Sequence, residues 1–201
     1  GMFCPAPRGL MVPLHSSMDL INQLLDSLPS MFVVDADRPV ESCFASAIQG
    51  ASEAMNTGGK LLVFTGTPPN TVPGQVSRSD DPTAFGTDKE SAMLLGTDDS
   101  YVTLGKTCLA RQVSVDVFAF TRAEFMDLAH ISTVATATGG QLYLYRHFLQ
   151  ERDAGRVSSE VARNLTRTIG LEAVMRVRCS QGLEVGEIFG AFTRAEVDGD
   201  V

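Results

Sequence analysis

Apolar positions along the chain alternate between two periods. Leu20, Ile21, Leu24, Leu25 and Leu28 fall on one helical stripe. The pattern predicts a helix capped by Ser16 or Ser17, stopped by Pro29 and covering one face of a sheet. A second helix opens at Glu41 or Ser42 and carries Ala45, Ile48, Gln49, Ser52 and Met55, with Ala47, Gly50, Ala51 and Ala54 suited to close packing. Gly58-Gly59 ends it, and the continuous run Leu61 to Phe64 reads as a buried parallel strand. Asp98 or Asp99 caps a helix holding Tyr101, Leu104, Gly105, Cys108 and Leu109, followed by a strand from Val113 to Phe120. A helix over 124–137 with Phe125, Leu128, Ile131 and Val134 then leads through Gly139-Gly140 into the strand Leu142 to Tyr145. The helix, double-glycine, strand device thus occurs twice, with the glycines read as positive-φ helix caps.

The last helix, Ser158 to Thr168, sets Val157, Val161, Leu165 and Ile169 against Glu160, Arg163 and Arg167. At Gly170 the period drops to two. Ala173, Met175, Val177 and Cys179 alternate with Val174, Arg176, Arg178 and Ser180, which predicts a strand from Glu172 to Cys179, a turn at Gln181-Gly182 and a second strand from Val185 to Phe192. Two strands cannot bury their own faces, so they either dock on the α/β body or begin a larger β domain. The fold class expected is α/β, a mostly parallel sheet with helices on both faces followed by C-terminal β strands. Residues 2–15 are proline-punctuated and read as extended chain. Residues 65–96, with Pro68, Pro69 and Pro73, exceed what a connection requires and read as a functional or a disordered loop.

Composition narrows the function classes. The 201 residues are 44% hydrophobic and 20% charged, with a net charge of -8. That charge argues against nucleic-acid binding by the surface as a whole. No apolar run is long enough to span a bilayer, the first fifteen residues form no signal peptide, and Gly1 before Met2 reads as a residue left by tag cleavage. Cys4, Cys43, Cys108 and Cys179 have no C-x2-C spacing, so they read as free thiols of a reduced compartment.

Little of the chain suggests catalysis. Asp35 and Asp37 end a hydrophobic run as a paired-carboxylate magnesium site would, but no phosphate-binding glycine or threonine adjoins them, so solvated loop acids are the preferred reading. Asp116 inside its strand is either a functional carboxylate or an acceptor for nearby backbone. His15, His130 and His147 lie on different elements without a partner at metal-ligand spacing. No phosphate loop, dinucleotide fingerprint or nucleophile elbow is present.

Several segments, in order, resemble one family. LTRTIGLEAVMRVRCSQGL is similar to the trunk to β-sandwich junction of the Sec24 family, cargo-selecting subunits of the COPII vesicle coat related to Sec23. DLINQLLDSLPSMF, GGKLLVFTGTPP, QVSVDVFAF and FMDLAHISTVATATGGQLYLYRHF resemble further trunk segments, so the likeness runs from about Pro7 to Phe192. VMRVRCS favours Sec24 over Sec23. The resemblance implies a von Willebrand A-like trunk over residues 1–169 and the beginning of a β-sandwich over 170–201. It implies no catalysis and no cofactor in this segment, the family's zinc module and first trunk strand having no counterpart here; the D-x-S-x-S metal motif is missing too. Implied partners are a Sec23-like subunit and the cytosolic signals of transmembrane cargo and fusion proteins. The implied location is the cytoplasm, peripheral on endoplasmic-reticulum membrane and vesicles. Arg176 and Arg178, on one side of their strand, are candidates for an acidic signal or, preferably, an interdomain ion pair. The alternatives are a Sec23-like subunit supporting GTPase activation and a magnesium-dependent hydrolase using Asp35 and Asp37.

Overall fold

Val113, Val115 and Val117 are completely covered, and the molecule is built outward from the strand that carries them. The computed structural model describes residues 9–32, 40–55, 57–76, 82–93, 98–121, 125–170 and 173–192. In chain order these contain α1 (Met18–Met31), α2 (Phe44–Ala54), β1 (Gly59–Thr65), a 3-10 turn (Pro82–Ala84), α3 (Glu90–Met93), α4 (Asp99–Ala110), β2 (Val113–Thr121), α5 (Leu128–Ala137), β3 (Leu142–Arg146) and α6 (Gln150–Thr166).

The three strands form one parallel sheet in the order β1-β2-β3, so β2, the most apolar, is central. Its valines point to the face covered by α2, α4 and α5, where Ile48, Tyr101, Cys108, Ile131 and Val134 complete the core. The alternate residues face α6. There Phe118 and Phe120 stack on Tyr143 and Tyr145 of β3 at 4.6 and 4.9 Å, with Val157 and Val161 of α6 packed against them. The mostly parallel α/β layer expected from the periodicity is therefore present.

Side-chain capping fixes the starts of α4 and α5, whereas Ser17 stands at the N-cap of α1 without a side-chain cap bond. Asp98 accepts from the Ser100 amide at 2.8 Å and opens α4, as anticipated. Asp127 accepts from the His130 amide at 3.1 Å, so α5 begins at Leu128 and not at residue 124. The second glycine pair behaves as expected at one position. Gly139, at φ +69°, and Gly140 donate to Thr136 O and Ala135 O at 3.3 and 2.8 Å, closing α5 in a Schellman motif. Gly140 has a different reason to be glycine: a Cβ there would lie 1.9 Å from Val115 O. The first pair is no helix cap, since α2 has already ended at Ala54; Gly58 and Gly59 shape the turn into β1 beside Gln112.

Other expectations require correction. Pro29 does not stop α1, which runs on to Met31, with Phe32 N donating to Leu28 O at 3.1 Å. Nor does α1 cover the sheet: it has no buried residue, and Leu20, Leu24 and Leu25 remain exposed. The helix α6 starts eight positions before Ser158, because its first turns are charged and gave no apolar signal. Its inner seam runs Val157, Val161, Asn164, while Leu165 is 67% exposed. Beyond Gly170 the turn forms, with Gly182 at φ +92° and Leu183 N donating to Ser180 O at 3.0 Å. The two expected strands do not: among the described residues, 173–180 and 183–189 have no ladder and are exposed. Without a third strand or an apolar face beneath it, that segment has nothing on which to build a sheet.

Candidate protein-binding site

The start of the sheet gathers a polar cluster that no single sequence motif announces. Lys60, at the beginning of β1, faces Ser114 in register, and its Nζ reaches Asp116 Oδ2 at 2.6 Å. Asp116 is fully buried, and the attraction at Oδ2 is ionic, lying off the line of a well-directed hydrogen bond. Its other oxygen accepts from the Gln141 amide at 2.8 Å. Asp116 is thus the backbone acceptor that one sequence reading required, with an added ionic partner. Lys60 Nζ also donates to Asn164 Oδ1 at 3.1 Å, and Asn164 Nδ2 donates to Tyr143 Oη and Glu160 O, both at 2.9 Å. Within this cluster Asp116 Oδ2 alone is buried without a hydrogen bond, and the lysine charge beside it is what offsets its burial.

Two recesses flank this end of the sheet and share Gly139. One, of about 350 Å³, is lined by Lys60, Ser114, Gly139, Arg167, Thr168 and Gly170 among others. The other, of about 590 Å³, lies between Val102, Lys106 and Leu109 of α4 and Thr136 and Ala137 of α5, with Phe192 of the C-terminal segment at its side. The larger recess carries one basic side chain, Lys106, in an otherwise uncharged lining; the smaller carries Arg167 and Lys60, the latter already paired with Asp116.

At the opposite end of the sheet the chain after β1 is strapped down. Asn70 Oδ1 accepts from Ser42 N at 2.6 Å, Asn70 Nδ2 donates to Val40 O at 2.7 Å, and Tyr101 Oη donates to Gly74 O. The first part of the long loop is therefore ordered, by polar side chains that periodicity cannot see. Burial pushes the Tyr101 hydroxyl above its usual range, and the charges of Asp98 and Asp127 add to it.

The residues singled out from sequence are not brought together. Arg176 and Arg178 are exposed on segment 173–180, which forms no strand, and line neither recess. Asp35 and Asp37 lie outside the described residues, as does Cys4. Cys43, Cys108 and Cys179 are free thiols, and burial pushes that of Cys108 up. His130 Nδ1 lies 2.7 Å from Asp127 Oδ2, and His15 and His147 are exposed. Among the described residues no three His, Cys, Asp or Glu side chains are placed to hold a metal, and no helix is long and apolar enough to cross a membrane. The missed residues, Lys60, Asn164 and Arg167, had faint signals: a lysine directly before a buried run, and an asparagine on a helix's inner seam.

The chain is 38% identical over 199 residues to protein transport protein SEC24 A of Arabidopsis thaliana, covering 98% of this chain and 19% of the relative. It is 38% identical over 196 residues to human Sec24C, covering 95% of this chain and 18% of that protein. The crystal structure of the human COPII-coat protein Sec24c superposes with a TM-score of 0.76 at 35% identity, over 85% of this chain and 23% of that one. The chain thus spans about a fifth of the length of the relatives it matches. The Sec23/Sec24 trunk domain model matches residues 1–165, the stretch that holds all three strands and their helices, and the chain belongs to that family.

Proposed function

We propose that this chain is the trunk portion of a COPII coat subunit that selects cargo for transport from the endoplasmic reticulum to the Golgi, acting by binding and not by catalysis. The observation that carries this reading is similarity to Sec24 relatives along nearly the whole chain, 98% of it in one case. Its partners are a Sec23-like subunit and cytosolic signals of transmembrane cargo and fusion proteins. Its place is the cytoplasmic side of the endoplasmic-reticulum membrane and its vesicles. Two open recesses, with Lys106 at one and Arg167 at the other, support recognition of extended signals with the modest affinity that reversible sorting needs.

The finer architecture belongs to the same reading. Residues 1–169 are the part of a von Willebrand A-like domain present here, and 170–201 begin a β-sandwich. Support comes from β1, which is apolar on both faces through Leu61, Leu62, Val63 and Phe64 and has no strand on its outer edge among the described residues. The exposed alternation of 173–180 likewise suits a sheet completed by further strands. Arg176 and Arg178 then sit at a domain junction, where an interdomain ion pair is their favoured role and an acidic signal the other.

The test is copurification of a complete polypeptide containing this segment with a Sec23 partner, followed by binding to a panel of cargo-tail peptides. Stable copurification with weak, salt-sensitive peptide binding is expected. Failure to copurify would overturn the coat assignment.

A further inference from the structure

The helix α6 is attached to the sheet in an unusual way for its length. Of its seventeen residues only Asn164 is buried, and only Val157 and Val161 pack their apolar side chains against the aromatic face. Helices normally dock through an apolar stripe of large aliphatic side chains. Here polar latches take that place. Tyr145 Oη donates to the Glu160 carboxylate, which also accepts from Arg156 Nε at 3.0 Å, while the Arg156 guanidinium lies 5.3 Å from the Tyr145 ring centre. One turn further on, Asn164 joins Lys60 to Tyr143.

We infer that α6 is a detachable arm: it opens from the sheet as a unit, governed by the Glu160 and Asn164 latches, at a free energy well below that of unfolding the β1-β2 core. Sub-global opening of this kind is expected where apolar contacts are few and polar ones hold an element in place. Once undocked, a single helix of this length is marginal in water, so release also frees its amides. The segment after Arg167 continues directly from α6, and the arm therefore carries Arg176 and Arg178 with it when it moves. Lys60 stays behind with Asp116, so its charge remains paired and the core survives the opening.

Hydrogen exchange followed by mass spectrometry on the native chain tests this without any ligand or partner. Under native conditions the amides of 150–166 are expected to exchange at least tenfold faster than those of Val113–Thr121, and to respond less steeply to low urea. Glu160→Gln and Asn164→Ala are expected to accelerate exchange in 150–166 by a further tenfold or more while Val113–Thr121 changes less. Exchange of both segments at one common rate and urea dependence in the native chain would overturn the inference, whether or not the Asn164 variant folds. Acceleration of both segments in step by Glu160→Gln would overturn it equally.

Discussion

Lys60 and Asp116 form an ion pair across β1 and β2 that no solvent separates: Nζ to Oδ2 is 2.6 Å, with side-chain exposures of 10% and 0%. Removing one partner leaves the other charge buried, which costs about 3–5 kcal/mol. Asp116→Ala is therefore expected to lower unfolding stability by that order in urea titration. Combining it with Lys60→Met should recover much of the loss, since a buried pair is frequently replaceable by apolar side chains. A single variant within about 1 kcal/mol of the parent would show that the pair is not what closes this end of the sheet.

Gly140 and Gly155 give opposite expectations for one substitution. A Cβ at Gly140 would stand 1.9 Å from Val115 O and 2.9 Å from Asp116 Oδ1, so Ala there must push β3 off β2. Gly140→Ala should destabilise by about 2 kcal/mol or more, in the range of overpacked sites. Nothing lies within 4 Å of a Cβ at Gly155, inside α6. Gly155→Ala should stabilise by about 0.5–1 kcal/mol through helix propensity alone. Thermal melts of the two variants check both signs, and a loss at Gly155 would contradict the exposed placement of that side of α6.

Acid should loosen the start of α6. The Arg152 guanidinium and, next, the Leu149 amide hold the Asp153 carboxyl at about 2, below its usual range. A depressed carboxylate contributes stability above its unfolded value of about 4 and loses that contribution as pH falls toward about 2. The Arg152 side chain is exposed and that of Asp153 only partly so, so salt weakens the effect. Carboxyl titration by NMR is expected to find Asp153 low in the parent and closer to 4 in Arg152→Ala. An unchanged Asp153 in that variant would assign its low value to the Leu149 amide alone.

What the sequence made legible follows from which forces leave a periodic trace. The β2 strand is readable because each of its valines meets a helix while Phe118 and Phe120 on the other face meet aromatic rings, so burial imprints both faces on the chain. The caps at Asp98 and Asp127 are readable or nearly so, being local in sequence. The Asn164 contacts and the Asn70 strap are not, because they join residues 104 and 28 positions apart through side chains with no repeat. The failures at α1 and at 172–192 have a different origin. Their apolar patterns are real, but a pattern records that a surface is meant to be covered, not what covers it. Leu24 at 53% and Val174 at 89% exposure are that information left unspent.

Tyr101 supplies the last expectation, because it is at once a core residue and a clasp. Its ring is fully buried beside Phe44, at 6.2 Å between centroids, and its hydroxyl is the donor to Gly74 O. Tyr101→Phe keeps the ring and deletes only that donor, leaving the Gly74 carbonyl without it. An unmet buried acceptor costs about 1–3 kcal/mol, and here the loss is local to the strap after β1. Gly74 itself cannot adjust by taking a side chain, since its φ is +83° and a Cβ would meet Ala45 Cβ at 2.9 Å. The variant should therefore melt earlier and become cleavable by protease within 65–76 before the sheet unfolds. It should also lose less stability than the parent above about pH 10, because burial disfavours the tyrosinate that the phenylalanine cannot form. A variant that keeps both its melting temperature and its protease resistance would mean that Asn70 and Thr71, through their bonds to the backbone at 40–42, hold the strap without help from α4.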